Sequence, residues 1–337
     1  MGSLSKFRAR AGLGHQTAVG TPSTPDIWFG YESASHDGAG VNSLAELGMA
    51  REPILAVNYG MQHSWAMSGI QTNITAAAYI MWLAMGSQSQ GAGPPYTHTI
   101  LIDSTGESEY ITVNFDRGTN LVGANTPTLR LEDSKMSNFS FECQMNSFAK
   151  IACGGLGCRT TETTALTAAI LSGANNAPMS AASFTAAVTT GAYTKLKYGA
   201  GALADDAAIT GFKVEFTQGM DYGGTTFGQK QPDRVNEGPA RIRWTVEREF
   251  FGAGATAFYD AWKNGTKVGA EFKAVVGAHS LILRSLNMAP AQGLGGEVGN
   301  TGDPVKMQLV CDAYASSPDL SLEVIAVDST DWAGFAP

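Results

Sequence analysis

Apolar and polar residues alternate with period two along several long stretches of this chain, a pattern that an amphipathic helix cannot satisfy and a half-buried strand requires. Residues 137–148 place Phe139, Phe141, Cys143 and Met145 on one side and Asn138, Ser140, Glu142, Gln144 and Asn146 on the other. Residues 240–250 set Ile242, Trp244, Val246 and Phe250 against Arg241, Arg243, Thr245, Glu247 and Glu249. A third run sets Phe212, Val214 and Phe216 against Lys213, Glu215 and Thr217. Weaker alternation marks His63–Thr72, Glu109–Phe115, Val268–Val276 and Lys306–Asp312. These stretches predict a mainly β, mainly antiparallel protein in which each sheet keeps one wet face.

Two segments break the period. Asn73 suits an N-cap for a helix over Ile74–Met85, where Ile74, Ala77, Ala78, Met81, Trp82 and Met85 fall at helical spacing and Gly86 ends the run. The segment from Gly254 to Gly265 predicts a second helix with Phe258, Tyr259 and Trp262 on one stripe and Asn264-Gly265 as its stop. Each helix follows a strand that contains a tryptophan. Trp65 to Trp244 and Gly86 to Gly265 are both separations of 179 residues, so strand, loop, helix and glycine stop recur in one order and spacing.

The recurrence predicts a tandem duplication. Its expected divisions are an N-terminal arm at 1–26, a first module at 27–165, a linker at 166–190, a second module at 191–315 and a C-terminal arm at 316–337. The linker falls in the small-residue stretch Thr160–Thr190. Ser87–Pro95 and Phe216–Pro239 read as Gly-rich loops, the second joining two alternating strands, and the polar tract Glu32–Glu52 holds the matching place in the first half.

Composition excludes several classes of function. Of 337 residues only 15% are charged, against roughly 25% in a typical soluble domain, while 40 are glycine and 44% hydrophobic. Charge-driven disorder is therefore excluded, and the poverty of charge suggests a surface covered by further copies of the chain. A net charge of −8 opposes the basic footprint of a nucleic-acid-gripping protein. The start, MGSLSKFRAR, lacks an apolar core and carries Lys6 where myristoylation needs Ser or Thr, so neither secretion nor lipid anchoring is expected. The apolar stretch Ile74–Met85 is too short to span a bilayer. Lys6, Arg8 and Arg10 make the first residues basic; Asp319, Glu323, Asp328 and Asp331 make the last ones acidic, an arrangement suited either to solvated ends or to docking between neighbours.

The sequence carries no catalytic constellation. His15, His36, His63, His98 and His279 have no metal-ligand spacing, and Cys143, Cys153, Cys158 and Cys311 read as free thiols in a reducing compartment. CGGLGC lacks the Lys-Ser/Thr ending of a phosphate loop and reads as a tight turn; GLGGEVG breaks the dinucleotide pattern at Val298. No GxSxG elbow occurs. No catalytic residue, metal site or cofactor is expected. What remains are the polar strand faces, which fit either a solvated sheet or the lining of a large barrel closed by several subunits.

At this point the chain resembles the tail tube proteins of long-tailed, siphovirus-type bacteriophages. The resemblance is carried by GLGHQTAVGTPSTPDIWFGYES after the basic start, by HSWAMSGIQTN with ITAAAYIMWLAMGS, by the following PYTHT, and by FYDAWKNGTKVGAEF. It departs from the family pattern at the Ala/Thr-rich seam and at Phe216–Pro239. The resemblance implies β-sandwich or barrel-like modules, each with a flanking helix, whose strands join those of neighbours around a lumen that DNA passes through. For a two-module chain it implies a trimeric ring with pseudo-sixfold symmetry, a hexamer being the alternative. It implies stacked rings, contact with a tape measure and other tail proteins, assembly in the host cytoplasm, residence in the virion tail, and no membrane. The expected lumen residues are Asn138, Ser140, Glu142, Gln144, Lys213, Glu215, Thr217, Arg241, Arg243, Thr245, Glu247 and Glu249, with Lys6, Arg8 and Arg10 between rings. Another self-assembling virion or surface-layer component is the rival reading, and a β-rich binding domain a more distant one.

Overall fold

The computed structural model describes residues 10–45, 55–103, 107–116, 128–163, 178–184, 194–223, 231–250, 253–291, 295–297, 306–316 and 320–332. In the first half the strands are β1 (Arg10–His15), β2 (Ile27–Gly30), β3 (Ser33–Ala45), β4 (Leu55–Gln71), β5 (Gly86–Gln90), β6 (Tyr96–Ile102), β7 (Ile111–Asp116), β8 (Thr128–Gln144), β9 (Lys150–Gly157) and β10 (Arg159–Thr163), with helix α1 (Ile74–Met85) after β4. In the second half they are β11 (Thr194–Tyr198), β12 (Ala204–Asp205), β13 (Ile209–Gly223), β14 (Arg234–Glu249), β15 (Val268–Val276), β16 (His279–Pro290), β17 (Gly295–Glu297), β18 (Lys306–Ala313) and β19 (Glu323–Asp328), with helix α2 (Ala253–Lys263) after β14. The mainly β expectation holds, and among the described residues every strand pairing is antiparallel.

The first sheet runs β3, β4, β9, β8, β13, β14, β18 and then β17. A second runs β5, β6, β19, β16, β15, β11 and β12. They meet where the end of β16 crosses to pair Met288–Pro290 with Cys311–Ala313 of β18. A smaller sheet of β2, β1, β7 and β10 is built on the first half of β8. β8 serves two sheets by bending at Asp133, whose φ of +50° is held by reciprocal bonds with Gln16: the Asp133 N–H donates to Gln16 Oε1 at 2.8 Å, and Gln16 Nε2 donates to Asp133 Oδ1 at 3.0 Å.

Helix α1 starts and stops as its sequence predicts. Asn73 Oδ1 accepts from the Ala76 N–H at 2.7 Å, and Gly86 takes φ +85° while its N–H donates to the Trp82 carbonyl. All twelve of its residues are buried, because it packs between β8 of the first sheet and β5, β6, β16 and β19 of the second. A helix apolar all round belongs inside rather than on a flank. Its few polar handles are satisfied by both ends of the chain. Tyr79 Oη donates to Asp26 at 2.5 Å, and Thr75 Oγ1 donates to buried Asp328 at 2.8 Å. Helix α2 buries Phe258 and Ala261, while Tyr259, expected on the same stripe, is 41% exposed.

Several expectations are corrected. Phe250 and Met145, read as inward, are 50% and 53% exposed because they lie past the ends of β14 and β8. CGGLGC is no turn: its glycines belong to β9, where a Cβ on Gly155 would meet the Lys135 carbonyl oxygen at 1.9 Å. Close approach of two flanking strands, not positive φ, is what these glycines serve. Phe216–Pro239 is largely a hairpin rather than a loop, since β13 continues to Gly223 and β14 begins at Arg234, with Tyr222 opposite Val235; residues 224–230 lie outside the described ones. The tract Glu32–Glu52 likewise contains β3, paired along its length with β4.

Both expected arms contain sheet strands. β1 lies between β2 and β7, and β19 between β6 and β16. Trp332 beyond β19 is fully buried and stacks on His98 with ring centroids 4.0 Å apart. Of the expected linker, Met179 and Phe184 are buried, and Met179 ties Thr72 to Ala149 through backbone bonds.

Candidate functional site

The alternating runs converge on one face of the first sheet. Register sets Ser140, Glu215, Arg243 and Asp312 in one row across β8, β13, β14 and β18. Glu142, Lys213, Thr245 and Val310 form the next row, and Gln144, Gly211, Glu247 and Gln308 the one beyond. Asn138, Thr217 and Arg241 stand on the other side of the first row, and Glu249 opposite Lys306 completes the far end. All twelve polar strand residues expected from the sequence are therefore neighbours on a single continuous surface. Each is exposed or half-buried.

The period that exposes these residues buries their neighbours. Phe139, Phe141, Phe212, Val214, Phe216, Ile242, Trp244 and Val246 are at most 5% exposed on the opposite side. Phe139 stacks on Phe216 at 5.3 Å and Phe212 on Phe272 at 4.1 Å between ring centroids. Trp244 Nε1 donates to Ser285 Oγ at 2.8 Å. Each such side chain contributes about 1.5–3 kcal/mol by leaving water, so a one-residue slip that exchanged the faces would be prohibitive.

Sequence reasoning omitted part of this surface. It continues over β9 with Lys150 and Ala152, over β4 with Ser64 and Ala66, and over β3 with Ser35 and Asp37. Gln308 and Asp312 of β18 also belong to it, and the signal for them was the alternation of Met307, Leu309 and Cys311 with polar partners. On β4 the alternation of Trp65 and Met67 with Ser64 and Ala66 marks a strand but not its place beside β9, and β3 is a run of small and polar residues in which no alternation of bulk advertises a strand.

Charges on the face compensate one another. Lys213 Nζ lies 2.6 Å from Glu215, and Arg243 Nε donates to Asp312 at 2.8 Å, which raises the guanidinium pKa further above its ordinary value. In these rows and over β9, β4 and β3, six carboxylates (Asp37, Glu142, Glu215, Glu247, Glu249, Asp312) meet five cations (Lys150, Lys213, Arg241, Arg243, Lys306), a net of −1. The surface is thus densely polar and nearly neutral. Exposed pairs of this kind contribute only about 0–1 kcal/mol each to stability.

The remaining sequence candidates have other surroundings. Lys6 and Arg8 lie outside the described residues. Arg10 opens β1, with its guanidinium 4.6 Å from the centre of the Trp28 ring. All four cysteines are buried free thiols whose pKa burial pushes up to about 12, the opposite of an activated nucleophile. Among the described residues no three of His, Cys, Asp and Glu are placed to hold a metal ion, and no helix is long and apolar enough to cross a membrane.

A family model described as phage tail tube protein matches residues 7–324, nearly the whole chain. No curated protein matches it.

Proposed function

The chain belongs to the phage tail tube protein family, a family of structural tail proteins rather than enzymes, and from that premise we propose that its polar sheet face lines the lumen of the tube. The observation that carries this reading is the gathering of twelve alternating polar residues on one nearly neutral surface above an aromatic core. A duplex presents about one phosphate charge per 1.7 Å of axis, and a basic wall would bind it by releasing its counterions. A wall whose cations are already matched by carboxylates gains nothing from phosphate contact, so DNA slides along it during ejection.

The two hairpin-and-helix halves, offset by 179 residues, are tandem copies of one module. Three chains then supply six modules to a ring of pseudo-sixfold symmetry. Rings stack through terminal residues, among them Lys6, Arg8 and Arg10, into a tube that assembles in the host cytoplasm around a tape measure protein and joins the other tail components. Closure of the sheet around the ring also disposes of exposed strand edges. Negative-stain microscopy of the purified protein is expected to show annuli and hollow tubes with a bore of duplex width. Monomers that form no annular species at high concentration would overturn the proposal.

A further inference from the structure

The first sheet contains, inside a single chain, a seam between the two halves: β8 of the first half pairs with β13 of the second. We infer that this seam is repeated between chains, with β3 of one copy adding to β17 of the next in the register that β13 takes on β8. The inference rests on the tube reading above and specifies its partner surface.

The equivalence of strands follows from register. Adding the offset of 179 that relates Trp65 to Trp244 carries β4, Leu55–Gln71, onto positions 234–250, and β14 spans Arg234–Glu249. Beside these tryptophans lie β9, with Gly155 opposite Trp65, and β18, with Cys311 opposite Trp244. Aligning Gly155 with Cys311 places Ala152 on Gln308 and Lys150 on Lys306. On the far side of β9, Ala152 faces Ser140 and Lys150 faces Glu142 of β8; on the far side of β18, Gln308 faces Gly295 and Lys306 faces Glu297 of β17. β17 is thus the counterpart of β8. Even the irregularity is shared: β8 shifts register against β9 between Met136 and Asn138, and β18 changes partner from β17 to β16 at the matching place.

The same construction on the other side makes β3 the counterpart of β13. Arg243 of β14 faces Glu215, and its counterpart Ser64 of β4 faces Asp37. Within the chain Glu215 lies opposite Ser140 and Lys213 opposite Glu142. Between chains, Asp37 therefore lies opposite Gly295, and Ser35 opposite Glu297. Among the described residues β3 pairs with β4 alone and β17 with β18 alone, so these strands are the two edges of the polar-faced sheet. The edge at Gly295-Gly296 has no side chain to obstruct an incoming strand.

A second contact across the internal seam supports the same template. The extension of the β13–β14 hairpin lies on the first half, where Glu237 accepts from Ser108 N at 2.8 Å and from Ser108 Oγ at 3.0 Å, pairs with buried Lys135, and where Tyr222 Oη donates to the His63 carbonyl at 2.6 Å. The paired strands β3 and β4 are the counterpart of β13 and β14, and in a closed ring the second half of the neighbouring copy stands where they would be received.

Disulfide trapping tests the register. Directly opposed residues of antiparallel strands have Cα atoms about 4.5–5.5 Å apart, within disulfide reach, and all four native cysteines are buried. The double variant Asp37→Cys, Gly295→Cys, oxidised after assembly, is expected to run on non-reducing gels as covalent dimers and trimers. Ser140→Cys with Glu215→Cys is the intramolecular control and is expected to oxidise within the monomer band. The pair Ser35→Cys, Glu297→Cys repeats the test at the next row should the first variant fail to assemble. Tubes whose inter-chain pairs stay reduced while the control oxidises would overturn the register and leave the tube reading intact. Failure of the wild-type protein to form annuli would overturn both.

Discussion

His63 shows how one side chain ties the fold to pH. It is 1% exposed on β4, and its ring stacks on His36 across the β3–β4 pair, with centroids 5.4 Å apart and planes 17° from parallel. Burial first, and the charge of His36 second, hold its pKa below the ordinary 6.5. Between that lowered value and 6.5 the unfolded chain binds more protons than the folded one, so stability rises with pH through this window and is lost on acidification. The melting temperature is expected to fall from about pH 7.5 to about pH 5, with a shallower fall in His63→Gln. Melting curves that shift equally in the variant and the parent would assign the acid sensitivity to other groups. Tyr79 is fully buried in the core. Its hydroxyl is one of the donors to buried Asp26, and the His15 N–H supplies another at 2.8 Å. Tyr79→Phe removes one bond from a carboxyl group that burial already disfavours as an anion, and a loss of about 1–3 kcal/mol is expected in urea denaturation.

At the scale of elements, β9 is the strand whose composition is most exacting. Gly154 and Gly155 let β4 and β8 approach from both sides, and a Cβ at Gly155 would fall 1.9 Å from one backbone oxygen and 2.9 Å from its carbon. Backbone cannot yield as a side chain can, so Gly155→Ala is expected to part β8 from β9 at a cost of about 3 kcal/mol. At Gly219 an added Cβ meets nothing within 4 Å, and Gly219→Ala is expected to change stability by less than about 0.5 kcal/mol. Equal costs in denaturant titration would refute the steric account. These glycines also show where sequence reading ends. Period-two bulk made β8, β13 and β14 legible, and the Asn73 cap and Gly86 stop bounded α1 to the residue. A strand of glycine and alanine has no such contrast and reads as a turn. β1 and β19 were hidden for a different reason: their burial depends on partners distant in sequence, β7 and β6, which no local pattern announces.

For the whole molecule, the polar face was legible strand by strand, but its continuity was not, because adjacency of β8, β13, β14 and β18 is a property of topology. That continuity makes the charge of the face a testable quantity. Replacing Glu142, Glu215 and Glu247 by Lys turns the net of −1 among the eleven charged groups of these rows into +5, without touching the buried side of the sheet. All three positions are half-buried and stand on the polar side, so tubes should still assemble. If the face lines the lumen, phosphates now gain contacts that release counterions, and binding acquires the steep salt dependence of basic grooves. Retention of short duplexes inside variant tubes is expected to exceed that of the parent by roughly tenfold or more at low salt and to vanish as salt rises. Phage carrying the variant should eject DNA more slowly while keeping normal tails. Variant tubes with unaltered duplex retention across the salt series would place this face elsewhere than on the path of the DNA.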